Sequence, residues 1–406
     1  MERKKPFITA SERVGKLPPY LFAELDRRRS AARKKGVDLI DFGIGDPDLP
    51  TPKPVVETAR GAVAVPEYHR YPQSRGSDFF KEAAFRWLSR EFEIPSLDSL
   101  EVGALIGAKE GLAHLPSVFC NPGDVVLTPN PGYPVYRASA ILADATPVDV
   151  SLTRENGFLP DLGVLDESVL RSAKVVFLNY PNNPTGAVMG RQAMREIVEF
   201  VRRKDVLLVS DNSYSHIRFD GEKPTSFLEV PGAEDVCLEL HSFSKTFNMT
   251  GWRVGFIVGG AKLVRTFMGV KENLDSGVFT AVQKAAETAI DLGPEHLDSL
   301  LATYRSRRDT LLEGLLKLGW DVCDTPGTFY LWAALPRGTS SMHFASRLIS
   351  TAGIVVTPGN GFGSNGESYV RFALTVPEDR ILKALGRLEQ KEISSMWKKS
   401  SHRKRS

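Results

Sequence analysis

Between residues 125 and 258 five short β-rich runs follow one another, at 125 to 128, 174 to 180, 206 to 209, 236 to 240 and 254 to 258. Stretches of helical periodicity, such as 194 to 203, occupy at least some of the gaps. Parallel neighbours in a sheet need a long crossover, which a helix supplies. Alternation of this kind predicts an α/β domain built on a mostly parallel central sheet flanked by helices. Upstream, Phe80, Ala84, Trp87 and Leu88 recur at helical spacing among Lys81, Glu82 and Arg86, which predicts an amphipathic helix over 76 to 94. Near Asp291-Leu292-Gly293-Pro294 the pattern changes to a long helical segment, 300 to 318, followed by strand-like runs at 329 to 332 and 369 to 374. A smaller α+β domain is expected there. The expected division is an N-terminal arm and part of the small domain at 1–48, a large domain at 49–292, the C-terminal small domain at 293–392 and a basic tail at 393–406.

Composition narrows the function classes. With 406 residues, 42% of them hydrophobic and 25% charged, the chain can bury two cores, and disordered and fibrous classes are excluded. The net charge of +3 comes from the end of the chain, where Lys398, Lys399, Arg403, Lys404 and Arg405 stand without an acid; without them the balance is near −2. The tail reads as a solvated end, and no broad footprint for nucleic acid is implied. Cys120, Cys237 and Cys323 are far apart and lack Cys-x-x-Cys spacing, so they are expected to be buried thiols, with neither a disulfide framework nor a metal site. The charged start, Met-Glu-Arg-Lys-Lys-Pro, leads into polar sequence, and no run of about eighteen apolar residues occurs. The expected location is cytoplasmic, with no membrane partner.

The chemistry concentrates in residues 242 to 253, Ser-Phe-Ser-Lys-Thr-Phe-Asn-Met-Thr-Gly-Trp-Arg. Lys245 is an amine able to form a Schiff base with a carbonyl, and Ser242, Ser244 and Arg253 can hold a phosphate by charge-assisted hydrogen bonds. A solvated lysine in a polar turn is the competing reading. Ile106-Gly107-Ala108-Lys109-Glu110-Gly111 opens a predicted helix through Phe119, so its backbone N–H groups face an anion at that helix N-terminus. No phosphate-loop pattern and no third glycine after Gly43-Ile44-Gly45 supports a nucleotide. Tyr133, in Pro131-Gly132-Tyr133-Pro134, either stacks on a heteroaromatic ring or packs in its turn. Asn183 follows an apolar strand in a backbone held by Pro181 and Pro184, as an amide donor or as part of a structural loop. Asp211 ends the apolar run 207 to 209, where ligands of open α/β sheets lie; it is a partner for a cationic ring nitrogen or a helix N-cap. Arg371 is a charge inside the apolar strand 369 to 374 and needs an anion, a structural carboxylate or a substrate's.

From about residue 17 to about residue 388 these segments resemble, in order and spacing, the fold-type I pyridoxal phosphate (PLP) enzymes of the class I/II aminotransferases. The Ser-x-Ser-Lys segment with its Gly-Trp-Arg carries the resemblance most specifically. Leu17-Pro-Pro-Tyr-Leu-Phe22, Gly43-Ile-Gly-Asp-Pro-Asp-Leu-Pro-Thr-Pro52, His69-Arg-Tyr-Pro72, Asn248-Met-Thr-Gly-Trp-Arg253 and Asp275-Ser-Gly-Val-Phe279 look most like bacterial LL-diaminopimelate aminotransferases. The resemblance implies that Lys245 carries pyridoxal 5'-phosphate covalently and acts as general base, with Asp211 on the ring nitrogen. Asn183 and Tyr214 are implied at the ring oxygen and Tyr133 against the ring face. Ala108, Lys109, Ser242, Ser244 and Arg253 are implied at the phosphate, with Tyr71 reaching in from a second subunit. Arg371 is implied at the substrate α-carboxylate, with Tyr20, Gly45 and Asn183 also at the substrate. Shared sites imply a homodimer, and the large domain becomes the PLP-binding one.

The implied reaction is ping-pong transamination of LL-2,6-diaminopimelate with 2-oxoglutarate, in lysine biosynthesis. Other amino donors (aspartate, alanine or aromatic) and a C–S lyase on the same scaffold remain alternatives; a regulator would need a DNA-binding domain for which no segment is left. Aspartate-type enzymes place an arginine in the segment matching 273 to 283, where this chain has none, and plant-type diaminopimelate enzymes have a glutamate where it has Ser74. Asn212 and Phe247 are smaller departures from the bacterial pattern.

Overall fold

The computed structural model describes residues 8 to 18 and 21 to 390, the side chains of 21 to 24 excepted. Tyr20 and the basic tail therefore lie outside the described residues. Strand β1 is Ile40–Asp41, and β2 (Leu100–Leu105), β3 (Val125–Asn130), β4 (Thr146–Ser151), β5 (Ala173–Leu178), β6 (Leu207–Asp211), β7 (Cys237–Ser242) and β8 (Gly255–Gly260) form one seven-stranded sheet. Its order is β2-β8-β7-β6-β5-β3-β4. All neighbours are parallel except those of β8, which runs antiparallel to β2 and β7. The reason is the link before β8. It holds one turn of α-helix, Phe243–Thr246, and one of 3-10 helix, Thr250–Trp252, too little to carry the chain back along the strand.

Central strands are buried on both faces, as their continuous apolar runs require. Val175, Phe177 and Val209 pack with Leu112, Leu115 and Phe267 on one side, and Val176, Leu178 and Leu208 with Val198 and Val201 on the other. The covering helices follow the 3.6-residue period: Arg191–Lys204 buries Met194, Ile197, Val198 and Val201, and Asp78–Glu91 buries Phe80, Ala83, Ala84, Trp87 and Leu88.

A second sheet lies later in the chain. Strands β9 (Asp321–Val322), β10 (Tyr330–Ala334), β12 (Thr357–Pro358) and β13 (Tyr369–Ala373) form an antiparallel sheet in the order β12-β13-β10-β9, while β11 (Ile354–Val355) pairs in parallel with β1. The helix Pro294–Lys317 buries Leu300, Tyr304, Leu311 and Leu315 in the same cluster as Ile40, Phe42, Phe329 and Phe372. The segment around residue 40 thus packs with the last hundred residues. Phe42 accepts a backbone hydrogen bond from Ala373 (2.8 Å), and Asp38 is ion-paired with Arg380, Lys383 and Arg387. Arg307 pins the next turn by a bidentate bond to Asp48 (2.7 and 2.8 Å). Cys237 and Cys323 are buried, but Cys120 is only partly so; it caps the end of the helix Ala108–Phe119, where one side faces solvent. Among the described residues no helix is long and apolar enough to cross a membrane.

Candidate active site

The topology gathers the chemistry at one sheet edge. At the carboxyl ends of β2, β3, β5, β6 and β7 stand Ala108, Tyr133, Asn179 with Asn183, Asp211 and Ser242 with Lys245. Because β8 is antiparallel, its amino end lies at the same edge and delivers Arg253; Ser242 and Leu105 both pair with Gly255. The peptide bonds before Pro131, Pro181 and Pro184 at this edge are cis. These residues form the floor of a cleft of about 550 Å³, and Ile44, Gly45, Asp46, Tyr330 and Arg371 form its opposite wall.

One end of the floor is an anion cradle. Gly107 has φ +77°, and a Cβ there would collide with the Arg253 guanidinium, so glycine is required where the strand turns into the helix. Arg253, with φ 55°, donates from Nη1 to the Thr250 carbonyl (2.8 Å). The free N–H groups of the helix Ala108–Phe119 open on the same space, and the Ser242 hydroxyl accepts from the Ser244 N–H (3.2 Å). Lys109, Ser242, Ser244 and Arg253 all line it.

The middle of the floor holds an amine and a carboxylate. Lys245 Nζ donates to the Gly45 carbonyl (2.9 Å). Burial lowers its pKa from 10.5 to about 8, with Arg371 and Arg253 pushing the same way and Asp46 and Asp211 opposing. Burial raises the Asp211 carboxyl, opposed by hydrogen bonds to both its oxygens: Ser213 Oγ donates to Oδ1 (2.5 Å) and Tyr136 Oη to Oδ2 (2.8 Å). No helix follows Asp211, since the chain goes directly into turns at 213 to 216. Tyr133 stands edge-on to Tyr136, with centroids 5.8 Å apart.

At the far end, Arg371 is 3% exposed. Its Nη1 donates to Asn183 Oδ1 (2.8 Å), its Nη2 to the Gly43 carbonyl (3.3 Å), and its Nε is buried without a partner. The guanidinium lies 4.0 Å from the centroid of the Tyr330 ring. Among the described residues no carboxylate is ion-paired with it. Asn183 is held in turn, because Asn179 accepts its N–H (2.8 Å) while donating to the Asp211 carbonyl (2.7 Å). Tyr214 and Tyr330 share a hydroxyl hydrogen bond of 2.9 Å.

The cleft therefore brings together Gly45, Ala108, Lys109, Tyr133, Asn183, Asp211, Tyr214, Ser242, Ser244, Lys245, Arg253 and Arg371. Tyr71 is apart from them, 89% exposed on the outside of the chain. Sequence reasoning missed Asp46, Asn179, Ser213 and Tyr330 in the lining and Tyr136 beneath it. Asn179 and Ser213 could have been found as polar residues next to the ends of apolar strands; Tyr136 and Tyr330 carry no local signal. Asn212 lies outside the lining, its amide donating to the buried Glu239 (3.0 Å) and to the Thr225 carbonyl (3.2 Å).

Residues 37–388 match the family described as aminotransferase class I and II. The chain belongs to this family. Among its relatives, the LL-diaminopimelate aminotransferase of Aquifex aeolicus is 49% identical over 383 residues, 94% of this chain and 99% of that protein. The LL-diaminopimelate aminotransferase of Desulforudis audaxviator is 47% identical over 94% of this chain and 97% of its own length. Among solved structures, substrate-bound BacF from Bacillus subtilis superposes with a TM-score of 0.91 at 38% identity, covering 95% of this chain and 98% of that one. A single mutant of Thermus thermophilus aspartate aminotransferase superposes with a TM-score of 0.88 at 29% identity, covering 95% and 100%.

As a class I/II aminotransferase the protein is a PLP-dependent transaminase of the α/β fold-type I architecture. The cleft fits that cofactor. An anion cradle that glycine keeps open, a buried amine with a depressed pKa and a buried carboxylate lining the same cleft match a phosphate, an aldehyde and a basic ring nitrogen.

Proposed function

We propose that this aminotransferase moves an amino group between LL-2,6-diaminopimelate and 2-oxoglutarate by a ping-pong mechanism, in lysine biosynthesis. The observation that carries the reading is the run of relatives named LL-diaminopimelate aminotransferase at 44% to 49% identity over nearly the whole chain.

Bound PLP supplies an electron sink for negative charge at the substrate's Cα. The residues do the rest. Lys245 would hold the cofactor covalently at rest; with a pKa near 8 about a tenth of its free amine is neutral at pH 7 and about half at pH 8, the form a nucleophile requires. When its amine is free, its Nζ would take the proton at the substrate's Cα. Asp211 keeps a proton on the ring nitrogen, and Tyr136 and Ser213 favour the charged carboxylate this needs. Asn183 and Tyr214 donate to the ring oxygen, and Tyr133 covers the ring face. Ala108, Lys109, Ser242, Ser244 and Arg253 take the phosphate. Arg371 grips the α-carboxylate with Asn183 beside it, supported by the unpartnered Nε, and Gly45 lines the substrate space. Tyr20 is assigned to the same space by resemblance alone.

The working form in this proposal is a cytoplasmic homodimer. Tyr71, Leu274 and Phe279 are exposed apolar side chains, and Gly277 packs on the backbone of Ser74, so the Tyr71 segment and the 275 to 279 loop, both proposed here to cross over to the second subunit, belong to one outer face. Two functional bodies, divided near residues 48 and 292, are part of the same reading. An active monomer in sedimentation at assay concentration refutes the shared site.

The deciding experiment is a half-reaction. LL-diaminopimelate, aspartate, alanine and cystathionine are added separately to cofactor-loaded protein, and the cofactor absorbance is followed. Conversion by LL-diaminopimelate alone is the expected result. Conversion by aspartate or alanine instead overturns the substrate, and pyruvate released from cystathionine without amino transfer overturns the reaction type.

A further inference from the structure

Two carboxylates line the cleft, and only one is accounted for. Asp211 is buried in the floor and accepts from Tyr136 and Ser213. Asp46 comes from the opposite wall, at the exposed mouth, and its side chain makes no hydrogen bond or ion pair among the described residues. Its backbone surroundings are firmly held. The Gly43 carbonyl accepts from Thr357 Oγ1 (2.9 Å), the Ile44 carbonyl from Thr375 Oγ1 (2.7 Å) and the Gly45 carbonyl from Lys245 Nζ (2.9 Å). Asp46 is thus fixed one residue from the carbonyl that touches the reactive amine, close enough for its charge to act on Lys245 and Tyr330.

Arg371, on the same wall, is the complementary case: a buried cation with a free Nε and no carboxylate paired with it among the described residues. An amino acid seated with its α-carboxylate on Arg371 and its α-amino group toward Lys245 extends its side chain through the remainder of the cleft. A side chain of the same length that ends in a carboxylate alone offers Asp46 no cation. One that also carries an ammonium meets the opposite charge, strengthened where the bound substrate displaces water.

We infer that Asp46 receives the distal ammonium of a diamino acid substrate and sets the preference for it over the monoamino acid of equal length. The inference rests on the proposed diaminopimelate activity and supplies the distal recognition for which the sequence showed no residue.

The test compares wild-type holoenzyme with Asp46→Asn and Asp46→Glu on LL-diaminopimelate and on L-2-aminopimelate, which differs only in lacking the second amino group. A contact far from the reacting carbon is made equally before and during the reaction, so its loss falls on KM more than on kcat. In Asp46→Asn, the ratio of kcat/KM for LL-diaminopimelate to that for 2-aminopimelate is expected to fall about tenfold to a hundredfold through the KM of the diamino substrate, while any change at the Lys245 amine falls on both substrates alike. Asp46→Glu is expected to recover part of the preference. An Asn variant that loses both substrates equally, or keeps the wild-type preference, overturns the inference alone. A wild type that does not use LL-diaminopimelate overturns the functional reading and the inference with it.

Discussion

Tyr136→Phe isolates one hydrogen bond from everything else in the site. The Tyr136 ring is 1% exposed and stacks on Phe177 at 5.0 Å between centroids, so phenylalanine keeps the packing and removes only the hydroxyl. That hydroxyl donates to Asp211 Oδ2 at 2.8 Å inside the protein. A hydrogen bond to a charged group contributes about 1.5 to 3 kcal/mol. All of it favours the carboxylate, while burial favours the acid, so removing the bond raises the Asp211 pKa further. Ionised Asp211 attracts a protonated ring nitrogen and neutral Asp211 does not. The variant should therefore bind PLP about ten- to a hundredfold more weakly, at 1.4 kcal/mol per factor of ten, and its affinity should begin to fall at a higher pH than in wild type. Cofactor dissociation constants measured across pH 5.5 to 8.5 on the apoprotein give both quantities, and inorganic phosphate affinity should not change. Wild-type affinity with a wild-type pH profile would refute the argument, since Asp211 would then not be tuned from below.

Four further outcomes are expected. The rate at which the apoprotein captures PLP should rise with pH through a midpoint near 8, and Asp46→Asn should move that midpoint down, because Asp46 opposes the lowering of the Lys245 pKa. Gly45→Ala puts a Cβ into the Tyr330 hydroxyl; the displaced ring loses its 2.9 Å bond to Tyr214, and kcat/KM should drop by at least about tenfold with the cofactor retained, as read by absorbance and steady-state rates. Arg371→Lys keeps the charge but not the planar fork, and KM for the amino donor should rise about ten- to a hundredfold while PLP affinity holds. His216 is buried, and burial outweighs the attraction of Glu91 so that its pKa lies below the ordinary 6.5. The folded state then binds fewer protons than the unfolded one, so stability is complete above about pH 6.5 and is lost as pH falls through that value; His216→Gln should flatten the thermal midpoint between pH 7 and 5.

The floor of the site was largely legible because its signals are local. Asp211 closes an apolar run, Lys245 sits between hydroxyls directly after another, and each lands at the carboxyl end of a parallel strand. The same reasoning left Asp211 open to an N-cap role, which depends on whether a helix follows, and none does. The opposite wall was legible only by resemblance. Gly45 meets Lys245 across 200 residues of chain and Arg371 meets Asn183 across 188, contacts that no periodicity encodes. Tyr136 is read from sequence as one more aromatic on a helix; its tie to Asp211 exists only because β3 and β6 flank β5. The reversal of β8 was equally hidden, because an apolar run has no direction until the length of its link is known.

That reversal matters to the chemistry. Were β8 parallel, Arg253 would enter the sheet from the opposite edge, and the cradle beside Ala108 would lose its guanidinium. A link that holds no crossover helix thus places a cation beside the helix N-terminus opened by Gly107, on the same floor as the amine it helps to acidify. The other wall supplies the counterweight. Arg371, on β13, lowers the Lys245 pKa, and Asp46, on the segment anchored by the Arg307 to Asp48 pair, raises it, so the nucleophilicity of one lysine depends on two sheets being held at a fixed separation. It follows that a change which loosens the Arg307 to Asp48 pair, far from any reacting atom, reaches the amine through charge rather than through contact.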